Sequence, residues 1–242
     1  MGDRLLGTRH GTARRGGGMS WLVHMELDAE IARSEGIFDS YGWHKRLWDC
    51  FPGTPDARRH FLTRIDPLEG AFRLWILSPR RPMRPGWCPS DCFASKEIAP
   101  AFFSHRFYAF DLRANPTKCL VQRDASGARK RQGKRIPLVD RDELREWLER
   151  KGRGRCRDQE TGQDIPGGFR ILGEKPLEIS PMVESHFRRN GQSGYHGGVQ
   201  FRGILEVTDR ERFVETYHSG IGSAKGFGFG MLLIAPVKIS IQ

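Results

Sequence analysis

Residues 41 to 48 read Tyr-Gly-Trp-His-Lys-Arg-Leu-Trp. On a helix, Tyr41, His44 and Trp48 stand at i, i+3 and i+7 and share one face, bordered by Leu47 and Phe51. Histidine titrates near neutral pH, which suits a general acid or base. A tyrosine one turn earlier can orient that ring or bind a phosphate, and Lys45 and Arg46 add positive charge beside it. The competing reading of His44 is a core-edge residue with one satisfied hydrogen bond. His60, His105, His186, His196 and His218 are scattered, and no pair has metal-ligand spacing on a predicted helix. No metal site and no cofactor site is visible.

One reaction needs only these groups. The ribose 2′-OH of RNA attacks the adjacent phosphorus in line and expels the 5′-oxygen, leaving a 2′,3′-cyclic phosphate. One proton must be removed, another supplied, and charge on the phosphoryl oxygens offset; a histidine, a tyrosine and a nearby lysine meet those demands. DNA has no 2′-OH and is excluded as a substrate.

Hydrophobic periodicity predicts the elements that hold the cluster. Trp21 to Leu27 alternates as a strand, and a helix from about Ser40 to Phe51 stops at Pro52-Gly53. Phe61 to Asp66 and Ala71 to Leu77 read as strands joined through Pro67 to Gly70, and proline-rich Arg80 to Ser90 as a loop. A second helix fits between Ser90 and Ala101, ahead of β-prone Phe102 to Leu112. The second round begins with strands Phe107 to Leu112 and Thr117 to Gln122. Asp140 caps a helix to Lys151, with Leu144, Trp147 and Leu148 as its apolar stripe. Strands Phe169 to Leu172, Met182 to Arg188 and Val199 to Val207 follow, the last two joined by a glycine-rich turn, Asn190 to Gly198. Helix Asp209 to Ser219 and strand Phe229 to Val237 end the pattern. Each round is β-α-β-β-α-β. The fold class is α+β: two tandem ferredoxin-like (RRM-like, βαββαβ) domains. Residues 19–106 form the first, with the catalytic helix, and residues 107–242 the second. Gly- and Arg-rich residues 1–18 read as a disordered extension.

The formal charge of +11 points to a polyanionic partner. Its distribution is uneven: from Arg113 to Arg157 there are 15 Lys or Arg against 6 Asp or Glu. Arg129, Lys130, Arg131, Lys134 and Arg135 precede the predicted helix, while Arg153, Arg155 and Arg157 follow its last turn. Bracketing one helix, they form a positive groove that tracks phosphates and positions a duplex. The competing reading is solvated loops that add only solubility.

Gly220 to Gly230 holds five glycines and Lys225 between a helix and a strand, a joint against which an anionic chain can lie closely. It is neither a dinucleotide fingerprint, which opens a helix, nor a Walker loop. Five cysteines without zinc-ligand spacing fit free thiols in a reducing cytoplasm. No apolar run has transmembrane length, so no membrane partner is expected.

These features resemble one family. Gly220-Ile221-Gly222, five residues, then Gly228-Phe229-Gly230 ahead of the last strand resembles the signature of the RAMP proteins of CRISPR systems. Tyr41 to Pro52 resembles the catalytic helix of the CasE branch, the type I-E repeat endoribonuclease. Leu112 to Lys118, Gly220 to Lys225 and Ile136-Pro-Leu138 look like further CasE segments. The resemblance runs from about Trp21 to Val237. It implies tandem ferredoxin-like domains and metal-independent cleavage of precursor CRISPR RNA at the base of the repeat hairpin. It also implies retention of the crRNA 3′ hairpin beside the other Cascade subunits. Tyr41 and His44 are implied as the catalytic pair. RNA contacts are implied for Arg113, Lys118 and the basic residues through Arg157, with Gly222 and Lys225 in the loop. Two alternatives stay open: a RAMP subunit that binds guide RNA without turnover, and an unrelated RRM-like protein. The latter predicts RNP-spaced aromatics, which the sequence does not show.

Overall fold

Val23, Met25 and Leu27 fall on one side of strand β1 (Ser20–Asp28), and all three are buried. With Leu74 and Ile76 of β3 they make the floor on which a helix packs. The computed structural model describes residues 19–53, 59–120, 134–154, 167–173, 175–189 and 192–239. The expected disordered extension, residues 1–18, lies outside the described residues.

The first sheet has the order β2-β3-β1-β4 and is antiparallel throughout, with β2 Leu62–Leu68, β3 Ala71–Ser78 and β4 Phe93–Ile98. After β1 the chain makes a short helix, α1 (Ala29–Ser34), then α2 (Ser40–Arg46), which continues as a 3-10 turn, Leu47–Cys50. The Asp39 carboxylate caps α2 by accepting from the Gly42 amide at 2.7 Å. Trp43, Leu47 and Cys50 are the buried residues of this segment, and the Trp43 ring meets Phe72 edge-on at 5.4 Å. That choice of buried face leaves Tyr41, His44 and Trp48 half-buried on another side.

The expected helix between Ser90 and Ala101 is absent. Phe93–Ile98 is instead the fourth strand, paired with the otherwise open edge of β1 from Met25 to Ser20. A backbone edge needs partners, and the segment carries its Lys96 and Glu97 outward, as an edge strand should. Pro100–Ser104 is a 3-10 turn, so the β-prone run from Phe102 splits and β5 begins only at Phe107.

In the second sheet the order is β10-β11-β5-β12, with β5 Phe107–Ala114, β10 Val183–Arg189, β11 Gln192–Val207 and β12 Leu232–Pro236. The short strands β8 (Phe169–Ile171) and β9 (Glu178–Ile179) pair along the far half of β11. β6 (Thr117–Leu120) and β7 (Lys134–Pro137) pair antiparallel as a separate two-stranded sheet. Helices α3 (Arg141–Arg153) and α4 (Arg210–Ser219) bury Leu144, Trp147, Leu148, Phe213 and Tyr217 in its core. Asp140 and Asp209 cap them as the sequence predicts for Asp140. The two sheets are tandem ferredoxin-like units.

The predicted turn Asn190 to Gly198 is mostly strand. Gly194 and Gly198 sit where rings cross the sheet: a Cβ on either would lie 2.8 Å from the ring of Phe187 or Phe229. Glycine inside a strand there marks close approach rather than a bend.

Arg64 ties the sheets together. Its side chain is 4% exposed, donates to both Asp66 oxygens at 2.9 and 2.8 Å, and reaches Asp111 Oδ1 of β5 at 2.7 Å. Asp111 also accepts from Gln200 and Arg202. Among the described residues, no helix is long and apolar enough to cross a membrane. Cys50, Cys88, Cys92 and Cys119 are free.

Candidate active site

Helix α2 faces the glycine loop. Between them lies a cleft of about 230 Å³ lined by Tyr41, His44, Lys45, Trp48, Gly226 and Phe227. The Tyr41 and His44 rings are 6.3 Å apart with planes at 28°, and on the loop side Phe227 stands 6.4 Å from His44, again at 28°. The i, i+3 spacing thus aims both predicted catalytic side chains into one cleft.

The loop reaches the helix because it turns sharply. Ala224 and Gly228 take positive φ, 58° and 87°, on either side of a single 3-10 turn, Lys225–Phe227. Arg59 holds that turn from the first unit, its Nη1 donating to the Lys225 carbonyl at 2.7 Å. A Cβ placed on Gly226 would meet Arg59 Nη1 at 3.7 Å and His44 Cε1 at 3.9 Å. Behind the cleft, Phe227 packs on Phe187 at 4.8 Å and on His196 at 4.7 Å. Burial holds the His196 imidazole below its ordinary pKa.

The charges around the cleft are sorted. Arg46 is clamped by Glu35 and by Asp49, the latter at 3.1 Å. Lys225 Nζ turns back to donate to the Ser219 carbonyl at 2.6 Å. Lys45 is exposed, with Nζ 5.1 Å from the centre of the Tyr41 ring and no carboxylate partner among the described residues. Among the described residues that line the cleft, it is the cation that remains available to an anion. Among the described residues, no group of three or more His, Cys, Asp or Glu could hold a metal ion.

The predicted RNA contacts scatter more widely. Arg113 lies between the sheets, donating to the Ile65 carbonyl at 2.6 Å with its guanidinium over Phe229. Lys118 pairs with Glu143, and Arg153 with Glu149 on α3. Arg135 is exposed on β7. Lys134 begins that strand. Arg129, Lys130, Arg131, Arg155 and Arg157 lie outside the described residues.

Within the loop, Gly222 takes φ +87°, where a Cβ would come within 3.1 Å of the Trp147 ring. Gly222→Ala combines left-handed backbone strain with a crowded core ring. We expect it to lower stability by on the order of 1 kcal/mol or more, read as a lower urea midpoint with an unchanged slope.

Two residues escape sequence reasoning. Arg59 follows the Pro52-Gly53 stop in a stretch without periodicity, and Phe227 sits inside the glycine run as one more loop residue. A Gly-Phe-Gly-Phe-Gly string is itself a usable signal, since glycine beside an aromatic leaves that ring room to meet a facing element.

The model of the family described as CRISPR associated protein matches residues 20–236. The chain belongs to that family. Among its relatives is the CRISPR system Cascade subunit CasE of Escherichia coli K12. The two are 28% identical over 203 residues, covering 82% of this chain and 93% of that protein. The CRISPR-associated endoribonuclease Cse3 of Thermus thermophilus is 29% identical over 232 residues, covering 89% and 100%. A solved structure of CRISPR endoribonuclease Cse3 bound to a 19-nucleotide RNA superposes with a TM-score of 0.70 at 28% identity. That match covers 90% of this chain and 100% of the other.

Proposed function

We propose that this protein is a metal-independent endoribonuclease. It cleaves precursor CRISPR RNA at the base of each repeat hairpin and keeps the crRNA 3′ hairpin as a subunit of a type I-E Cascade complex. The observation that carries this is one cleft lined by Tyr41, His44 and Lys45. Support for the substrate comes from relatives named as a Cascade subunit and as an endoribonuclease, and from a neighbour bound to RNA. In the reaction the 2′-oxygen bonds to phosphorus as the bond to the 5′-oxygen breaks. His44 is the general acid or base for the two proton transfers, Tyr41 is its partner, and Lys45 offsets the phosphoryl charge. The basic residues from Arg113 to Arg157 and the loop residues Gly222 and Lys225 are proposed as the hairpin contacts, and sheet one and sheet two as the cores of domains 19–106 and 107–242. A cytoplasmic location agrees with the free thiols.

The test is a hairpin-bearing repeat RNA incubated with the protein in excess EDTA, beside the same RNA with one 2′-deoxy residue at the cut. A single cut in the first and none in the second is the expected result. Tight binding without cleavage of either RNA overturns the enzymatic reading in favour of a guide-binding RAMP subunit.

A further inference from the structure

Rings dominate the cleft wall. Tyr41, His44, Trp48 and Phe227 are four of its six lining residues, Lys45 and Gly226 the others, so among the described residues no carboxylate or amide side chain lines it. At about 230 Å³ the cleft is smaller than the roughly 300–1,000 Å³ sites of drug-sized ligands. One flat heterocycle fits; a base pair does not. Phe227 is braced from behind by Phe187 and His196, so its ring is held in place before any ligand arrives. Trp48 is braced in the same way, edge-on against Phe61 at 5.0 Å. Gly226 leaves the floor between His44 and Arg59 without a side chain.

Aromatic walls of this kind bind nucleobases through their π-faces, and stacking tolerates sequence because every base has such a face. Lys45, at the rim, meets the attached phosphate as a point charge. We propose that the cleft is a stacking subsite for one unpaired nucleobase next to the scissile phosphate, held by Phe227 and Trp48. This rests on reading the cleft as the site of RNA cleavage. Drawing a base out of the helical stack also frees its sugar and phosphate to rotate. The 2′-oxygen, phosphorus and 5′-oxygen can then come into line beside His44, so the subsite contributes geometry as well as affinity.

The experiment is single-turnover cleavage of the intact repeat RNA and of versions abasic at either nucleotide flanking the cut, each retaining its 2′-OH. The wild type is compared with Phe227→Leu, which keeps the apolar packing on Phe187 but has no π-face, and with Phe227→Trp. Loss of the base at one flanking position is expected to slow the wild type roughly tenfold or more, whereas exchanging purine for pyrimidine there changes little. Phe227→Leu is expected to slow the intact RNA to a similar degree and to be indifferent to the missing base, since both changes remove one interaction. Phe227→Trp, which keeps a π-face, is expected to retain the dependence on the base that Phe227→Leu loses. Unchanged wild-type rates on both abasic RNAs overturn the subsite, as do Phe227→Leu and abasic effects that simply multiply. A wild-type protein that leaves the intact RNA uncut instead removes the cleavage reading on which the subsite stands.

Discussion

Replacing His44 with alanine drops the single-turnover cleavage rate by about two to four orders of magnitude, while affinity for the repeat hairpin and its salt dependence stay as they were. The expectation follows from which side of α2 is buried. Trp43 and Leu47 anchor the helix in the first core and Asp39 caps it, so the imidazole is not needed for folding. Binding is proposed to draw on the basic surface, where counterion release from phosphates sets both affinity and salt slope. His44 faces Tyr41 and the loop instead. Parallel measurements of melting temperature, hairpin affinity and cleavage separate the roles. A variant that loses all three together returns His44 to the core-edge reading. One that cuts at the wild-type rate moves the chemistry elsewhere.

Arg64→Met produces the largest loss of stability. Removing one partner of a buried ion pair costs roughly 3–5 kcal/mol. The lower end applies here, because the Asp66 and Asp111 side chains are 20% and 28% exposed and keep some water. For a chain of this size that is a fall in Tm on the order of 10 °C. The loss also depends on pH. Burial works to raise the Asp111 carboxyl, but hydrogen bonds and charge from Arg64, with Arg202 and Gln200, outweigh it and hold the pKa below the ordinary value. A carboxylate depressed on folding contributes stability that is complete above its unfolded pKa, about 3.9, and fades as pH falls through the lower folded value. Without Arg64 only Arg202 and Gln200 oppose the burial effect, and Asp111 takes up its proton more readily. The Tm deficit of Arg64→Met is therefore widest near pH 7 and narrows toward pH 3. A deficit constant across that range shows that Arg64 acts by packing rather than by charge. Because Arg64 also fixes one sheet against the other, the variant's cleavage rate at a temperature where it is fully folded reports how far the cleft depends on that alignment.

Local pattern is enough to find half of this site. Helical spacing alone puts Tyr41, His44 and Trp48 on one face, and the cap and stripe of α3 are written in Asp140, Leu144, Trp147 and Leu148. The other half depends on contacts that no local period encodes. The bond from Arg59 to the Lys225 carbonyl spans 166 positions. The same limit explains the errors in the strands. Phe93–Ile98 is a strand because β1 offers an unpaired edge, and Gly194 and Gly198 lie in strands because Phe187 and Phe229 cross them. In each case a distant partner overrules local preference. Charge density behaves likewise: it marks Arg113 as part of a basic run, whereas its guanidinium is taken up by the Ile65 carbonyl between the sheets.

The wall that completes the cleft comes from Gly226 and Phe227, while the imidazole it faces is His44. On the ribosome these segments emerge far apart in time. At roughly 5–20 residues per second, on the order of ten seconds or more separates the histidine helix from the turn that closes over it. A nascent chain therefore carries Tyr41 and His44, the proposed acid–base pair, on an open helix throughout synthesis, with nothing opposite to hold RNA against them. With the chemistry at the proposed site, nuclease activity arrives only when the second sheet has folded onto the first, and an interrupted translation product is expected to be inert toward the transcripts around it.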